Sequence, residues 1–199
     1  MRKIRFGVLG TANIGRNQVN PAIRAARNAE LVSVASRDAR KARDFAEAGG
    51  FARHAASYEA LLEDPEIDAV YIPLPNSMHR EWTLRAAAAG KHILCEKPLA
   101  LSRAQAARAV AAAREHGVFL MEAFMYRCHP QTAKVAELVS GGAIGELRLI
   151  SAVFCFNRPV DPAMRLYNRA LGGGAILDIG CYPASIARWV AGAAEGRAF

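Results

Sequence analysis

The feature that most constrains this chain is a regular alternation. Through the first 122 residues, short and nearly unbroken apolar runs take turns with helical patterns. Candidate strands fall at 4–9, 31–35, 67–73, 92–95 and 118–121, and helical segments at 14–27, 38–48, 77–89 and 102–116. A strand that is apolar on both sides must be covered on both faces, and a helix between successive strands is the crossover that parallel neighbours need. The pattern predicts an α/β fold, a doubly wound parallel sheet of the Rossmann type. Gly90 and Gly117 each sit just past a helical run, where a left-handed cap belongs, and Asn76 and Ser102 sit where N-caps belong.

After about residue 123 the character changes. His129–Pro130 opens a helix that runs to Ser140, residues 146–156 (ELRLISAVFCF) read as a long strand, and a last helix is expected over 175–191. One strand and two helices cannot bury their own faces. The expected organisation is a dinucleotide-binding domain over 1–122 and an incomplete α+β domain over 123–199.

Composition narrows the class. With 52% hydrophobic and 22% charged residues the chain can bury a sizeable core. No window holds eighteen consecutive apolar residues, and the start reads directly into a strand, so no membrane association and a cytoplasmic location are expected. The four cysteines, Cys95, Cys128, Cys155 and Cys181, form no ligand pattern, and reduced thiols with no metal are expected. A net charge of +8 invites a nucleic-acid reading. The basic residues are scattered through alanine-rich helices without interleaved aromatics or a binding motif, so nucleic acid is not an expected partner.

The site begins at the first strand–helix junction. Gly10-x-Ala12-x-x-Gly15 follows the first strand directly and opens the first helix, the context a dinucleotide fingerprint requires. Gly10 permits a tight turn, Ala12 lets the backbone come near a pyrophosphate, Gly15 permits close helix–sheet packing, and the helix N-terminus offers free N–H groups. Thr11, Asn13 and Ile14 complete the loop. An NAD-selective site carries an acidic residue at the end of the second strand. Here that strand ends in Ser36-Arg37, a hydroxyl and a guanidinium suited to a 2′-phosphate, with Lys41 one helical turn on. Asp38, slightly late, reads as the N-cap of the next helix. NADP is therefore favoured over NAD.

Ligands of an open α/β sheet gather at the carboxyl ends of its strands. Pro73, Leu74, Pro75, Asn76 and His79 lie at one such end, and Glu96, Lys97 and Pro98 at another. Further along, Asp178 and Tyr182 stand four apart, so on a helix they share a face. A phenol titrates near pH 10, and a nearby cation favours its phenolate.

Four ordered stretches, GTANIG (10–15), YIPLPNSMH (71–79), HILCEKPLA (92–100) and GGGAILDIGCY (172–182), resemble the glucose–fructose oxidoreductase/inositol dehydrogenase (Gfo/Idh/MocA) family. Within it the likeness is to the xylose dehydrogenase and dihydrodiol dehydrogenase branch, whose domain-junction segment MEAFMYRCHPQ (121–131) resembles. The resemblance covers residues 4 to about 191. It implies an NADP-dependent oxidoreductase that moves a hydride between nicotinamide and a carbinol or carbonyl carbon of an aldose or a cyclic diol. It implies cofactor contacts from Leu74, Pro75, Asn76, His79, Glu96 and Lys97. Tyr182 would be the acid/base, Lys97 its helper, and Asp178 the group orienting substrate or Lys97. Arg127, His129, Arg165 and Asn168 match polar positions near the substrate, with ordinary caps and loop salt bridges as the other reading. The family's second domain is a mostly antiparallel sheet through which members pair, so a homo-oligomer is implied. This chain is shorter than the family's members and shows one strand of that sheet, so truncation is expected. The alternative function is a catalytically incomplete dinucleotide-binding fragment or pseudoenzyme of the same family.

Overall fold

Strands β1 (Ile4–Leu9), β2 (Ala29–Ala35), β3 (Arg53–Ala55), β4 (Ala69–Ile72), β5 (His92–Cys95) and β6 (Leu120–Glu122) form one sheet in the order β3-β2-β1-β4-β5-β6. Every pairing is parallel. The computed structural model describes residues 2–162 and 164–197, in two compact units, Met1–Ala123 and Phe124–Phe199. The helices are α1 (Asn20–Ala25), α2 (Ala39–Gly49), α3 (Tyr58–Glu63), α4 (Asn76–Ala88), α5 (Arg103–Glu115), α6 (Pro130–Ser140) and α7 (Cys181–Ala194).

The expected doubly wound sheet is present, and its side-chain alternation shows why. In β1 and β4, Leu9, Val70 and Ile72 enter one apolar cluster with Leu61, Trp82 and Ile93. Their neighbours Val8 and Tyr71 join Val34 and Phe45 in another. A strand's period of two sends consecutive side chains to opposite faces, so a continuous apolar run feeds two cores. The strand order, not the strand direction, reverses between β1 and β4, and the crevice beyond the strand ends there is the place a ligand is received.

Two caps form as expected. Asp38 accepts from the Lys41 N–H at the start of α2, and Ser102 from the Gln105 N–H at the start of α5. The expected cap at Asn76 does not form. Pro75 holds that position, and Asn76 is the buried first residue of α4. Sequence reading also passed over β3 and α3.

Asp68 ties the sheet's lower edge together. It accepts from Arg5 Nε, Arg5 Nη2 and the Arg5 backbone N–H, each at 3.0 Å, and from Arg2. The Arg5 hydrogen bond, opposed by partial burial, holds its carboxyl down at about 2. The folded pKa lies below the ordinary value near 3.9, so this stabilisation is complete above about pH 4 and lost as pH falls through 2. Thermal melts should therefore show Tm falling steeply between about pH 4 and pH 2, less steeply in Asp68→Asn. An unchanged acid slope in that variant would contradict the assignment.

In the second unit, α6 and α7 form as expected, α7 preceded by a π-helical turn, Ile176–Gly180. The strand expected at 146–156 does not form. Leu149 and Val153 stand in solvent, 83% and 84% exposed. A strand needs a neighbour's N–H and C=O groups, and among the described residues of this unit no second strand supplies them. The helical run Arg169–Ala194 is long and apolar enough, by length and composition alone, to cross a membrane.

Candidate cofactor and catalytic site

Gly10 closes the turn after β1. Its φ of +116° lies in the region that favours glycine, and a Cβ there would sit 3.1 Å from Leu74 Cδ2. Its N–H donates to Ala35 O at 2.8 Å, which ties the loop to the end of β2. A helical run starts at once, with the Arg16 N–H donating to Ala12 O, and passes through the π-helical turn Gly15–Val19 into α1. Thr11 and Ala12 are half-buried, whereas Asn13 and Ile14 are exposed. Gly15 is buried, but a Cβ there would meet Tyr71 Cε1 at 3.4 Å, an ordinary contact. Close packing alone does not require glycine at 15.

This loop borders a cavity of about 280 Å³ whose lining brings together Gly10, Thr11 and Ala12 with Ser36, Arg37, Lys41 and the Pro73-Leu74-Pro75 turn. Asp38 also borders it, but its Oδ1 accepts from the Lys41 N–H, so it acts as a cap. Ser36 is buried and its Oγ accepts from the Asp38 N–H at 3.3 Å, while Arg37 and Lys41 are exposed. Arg37 and Lys41 thus bring two cations to the end of β2. Tyr58, which sequence reading missed, lines the same cavity from the first turn of α3. Its ring packs edge-on against Trp82, with centroids 4.8 Å apart. Burial pushes its hydroxyl pKa up, and the adjacent Arg37 partly offsets this.

The second cluster is the turn after β5. Glu96 and Lys97 are half-buried, and the Lys97–Pro98 peptide is cis. Tyr71 donates to Glu96 Oε1 at 2.7 Å. His79 reaches this turn from α4. It is fully buried, with Nδ1 2.7 Å from Pro98 O and Nε2 2.8 Å from Leu74 O. A neutral imidazole donates to only one of these carbonyls, and which one depends on its tautomer. The His79 ring thus links two loops. Asn76 is also buried, at 4% exposure.

In the second unit, Tyr182 lies at the start of α7 inside an aromatic group, its ring edge-on to Phe124 and Phe154 at 5.3 Å each. Its hydroxyl donates to Met125 Sδ at 3.4 Å. Asp178, in the π-helical turn, faces Arg165 Nη2 at 3.5 Å. A cavity of about 410 Å³ is lined by Asp178, Phe156, Arg158, Leu166, Tyr167 and Arg169, among others. Neither Arg165 nor Asn168 lines it, and Arg127 is exposed on the turn Met125–Cys128. Asn168 is engaged as a cap, its Oδ1 accepting from the Ala170 N–H at 2.9 Å, and His129 likewise caps α6. Gly173 has a structural reason of its own. A Cβ there would lie 2.6–2.8 Å from the carbonyls of Arg165, Leu166 and Asn168, so only glycine lets the chain pass this turn.

Residues 4–124 match the family model described as oxidoreductase family, NAD-binding Rossmann fold, and residues 132–196 match the GFO/IDH/MocA C-terminal domain. The chain belongs to the GFO/IDH/MocA oxidoreductase family. It is 44% identical over 183 residues to D-xylose 1-dehydrogenase (NADP(+)) 2 of Haloferax volcanii, covering 92% of this chain and 56% of that protein. It is 43% identical over 153 residues to trans-1,2-dihydrobenzene-1,2-diol dehydrogenase of Xenopus laevis, covering 77% and 46%. Among solved structures it is similar to the 3-ketoreductase of Actinomadura kijaniata in complex with NADP and TDP-benzene. There the TM-score is 0.85 and the identity 42%, over 96% of this chain and 58% of that one. The chain thus spans about half the length of these relatives.

Proposed function

We propose that residues 1–122 bind NADP and that the protein is an oxidoreductase acting on a hydroxyl or keto carbon of a sugar or a cyclic diol. The observation that carries this is the cavity at the end of β1, where the Gly10 turn meets Ser36, Arg37 and Lys41. The backbone of residues 10–15 takes the pyrophosphate at the helix N-terminus. Ser36 donates a hydroxyl, and Arg37 and Lys41 supply the charge that a 2′-phosphate needs. Family relatives named for NADP and for sugar or diol chemistry support the reading.

When bound, the nicotinamide supplies or accepts the hydride. The chain's own part is binding and proton transfer. Tyr182 is assigned to give or take the proton of the substrate oxygen, Lys97 to favour its phenolate, and Asp178 to orient the substrate or the lysine. Residues 123–199 then belong to the substrate domain. Arg127, Arg165 and Asn168 keep at most a supporting part, because Asn168 is already a cap and Arg165 faces Asp178.

Calorimetry checks the cavity directly. NADPH should bind one to one, and Gly10→Val should weaken it by about a hundredfold or more, through a strained φ and a filled turn. Circular dichroism should show the fold retained. Undiminished NADPH binding in a folded Gly10→Val chain would overturn the reading.

A further inference from the structure

The turn 96–99 carries Lys97, but the side chains that fix it come from other elements. Tyr71, in β4 and without exposed surface, donates its hydroxyl to Glu96 Oε1 at 2.7 Å. The other carboxylate oxygen of Glu96 accepts from the Lys97 N–H at 3.3 Å. From β6, Glu122 Oε1 accepts from the Leu99 N–H at 2.7 Å. From α4, His79 spans Pro98 O and Leu74 O at 2.7 and 2.8 Å. The backbone adds Glu96 N–H to Ile72 O at 3.1 Å and Ala123 N–H to Cys95 O at 2.8 Å. Three side chains from three elements thus converge on Glu96, Pro98 and Leu99, the residues around Lys97.

Packing alone does not call for this chemistry. The strand neighbours of Tyr71, Val70 and Ile72, fill the core with apolar groups only. A hydroxyl and an imidazole placed in the same interior carry a desolvation cost unless each meets a partner. Here each partner lies on or beside the lysine-bearing turn. Burial first, and then the charge of Glu96, push the Tyr71 hydroxyl pKa well above its ordinary value, which keeps it a neutral donor. A lysine side chain is flexible, so what a fold can fix is the backbone that launches it, and a misplacement of about 1 Å at a reacting centre costs on the order of a hundredfold in rate.

We infer that Tyr71, Glu122 and His79 are positioning residues, which act through the 96–99 turn to hold Lys97 in place for the nicotinamide half of the cofactor. The inference rests on the proposed NADP site and on the cofactor contact that the family resemblance implies for Lys97. His79 additionally couples that turn to Leu74, which borders the cavity at Gly10.

The test uses the 199-residue chain and two probes. NADPH reports the whole site through nicotinamide fluorescence, and 2′,5′-ADP reports the adenosine half alone by calorimetry. Tyr71→Phe and Glu122→Leu should weaken NADPH by about tenfold while leaving 2′,5′-ADP within about twofold. Glu122→Gln keeps an acceptor for the Leu99 N–H and should restore most of the affinity. Equal losses for both probes would overturn the proposal by showing a general structural role. Unchanged NADPH binding in both variants, or Glu122→Gln as damaging as Glu122→Leu, would also overturn it. Should Tyr71→Phe fail to fold, the two Glu122 variants still decide. A parent chain that binds neither probe would instead overturn the cofactor reading, and this proposal with it.

Discussion

Replacing Tyr182 by phenylalanine is expected to lower kcat by roughly 10²–10⁴, the usual worth of a general acid/base, with little change in cofactor affinity. The assay belongs in a chain joined to a complete family C-terminal domain, since the relatives matched are considerably longer. The hydroxyl donates to Met125 Sδ, a weak acceptor, and the ring sits among aromatic neighbours. The rings of Phe124 and Phe154 keep contact with phenylalanine at 182, so the substitution removes chemistry without removing packing. Lys97→Ala should be comparably damaging. If the two act as one unit, the double variant should lose much less than the product of the single losses. Normal turnover in Tyr182→Phe would remove the tyrosine from the mechanism.

The second large effect concerns residues 124–199 of the chain itself. Leu149, Val153 and Phe156 are exposed along a segment of strand-forming composition, and Ile176 at the start of the last helix is 78% exposed. Apolar surface of this kind, with unpaired backbone beside it, promotes self-association. The first unit, by contrast, has a six-stranded open sheet with a core on each face. Light scattering should therefore show oligomers or aggregates of the 199-residue chain. Limited proteolysis should leave a stable fragment ending between about residues 121 and 142 that still binds NADPH. A monodisperse, protease-resistant monomer would contradict this account of the second unit.

The parallel sheet was legible because the buried strands are apolar on both faces. The first and fifth strands were located to the residue, Ile4–Leu9 and His92–Cys95. The strand Arg53–Ala55 escaped notice because an edge strand with one neighbour needs no apolar run, and its three residues include an arginine and a histidine. The helix that follows did leave a signal. Ser57 is its N-cap, and Tyr58, Leu61 and Leu62 repeat at helical spacing on its buried side. Reading that signal would have brought Tyr58 to the cavity. Residues 146–156 failed in the other direction, because strand propensity cannot act without a ladder partner. At the site, position along the strand ends led to the Gly10 loop, the Arg37 segment and the Lys97 turn. It could not show that the His79 ring points inward, nor that Tyr71 reaches Glu96, because both depend on which face of an element meets which loop.

The most direct test of the cofactor assignment is the ratio of NADPH to NADH affinity, measured by calorimetry on the 199-residue chain and on Arg37→Asp. Two cations at the end of the second strand, with Asp38 occupied as a cap, predict NADPH tighter by at least about tenfold, or about 1.4 kcal/mol. In Arg37→Asp a carboxylate replaces the guanidinium where a ribose 2′-hydroxyl would be read, so the preference should vanish or reverse. Equal affinities for the two nucleotides in the parent, unmoved by the substitution, would contradict the account.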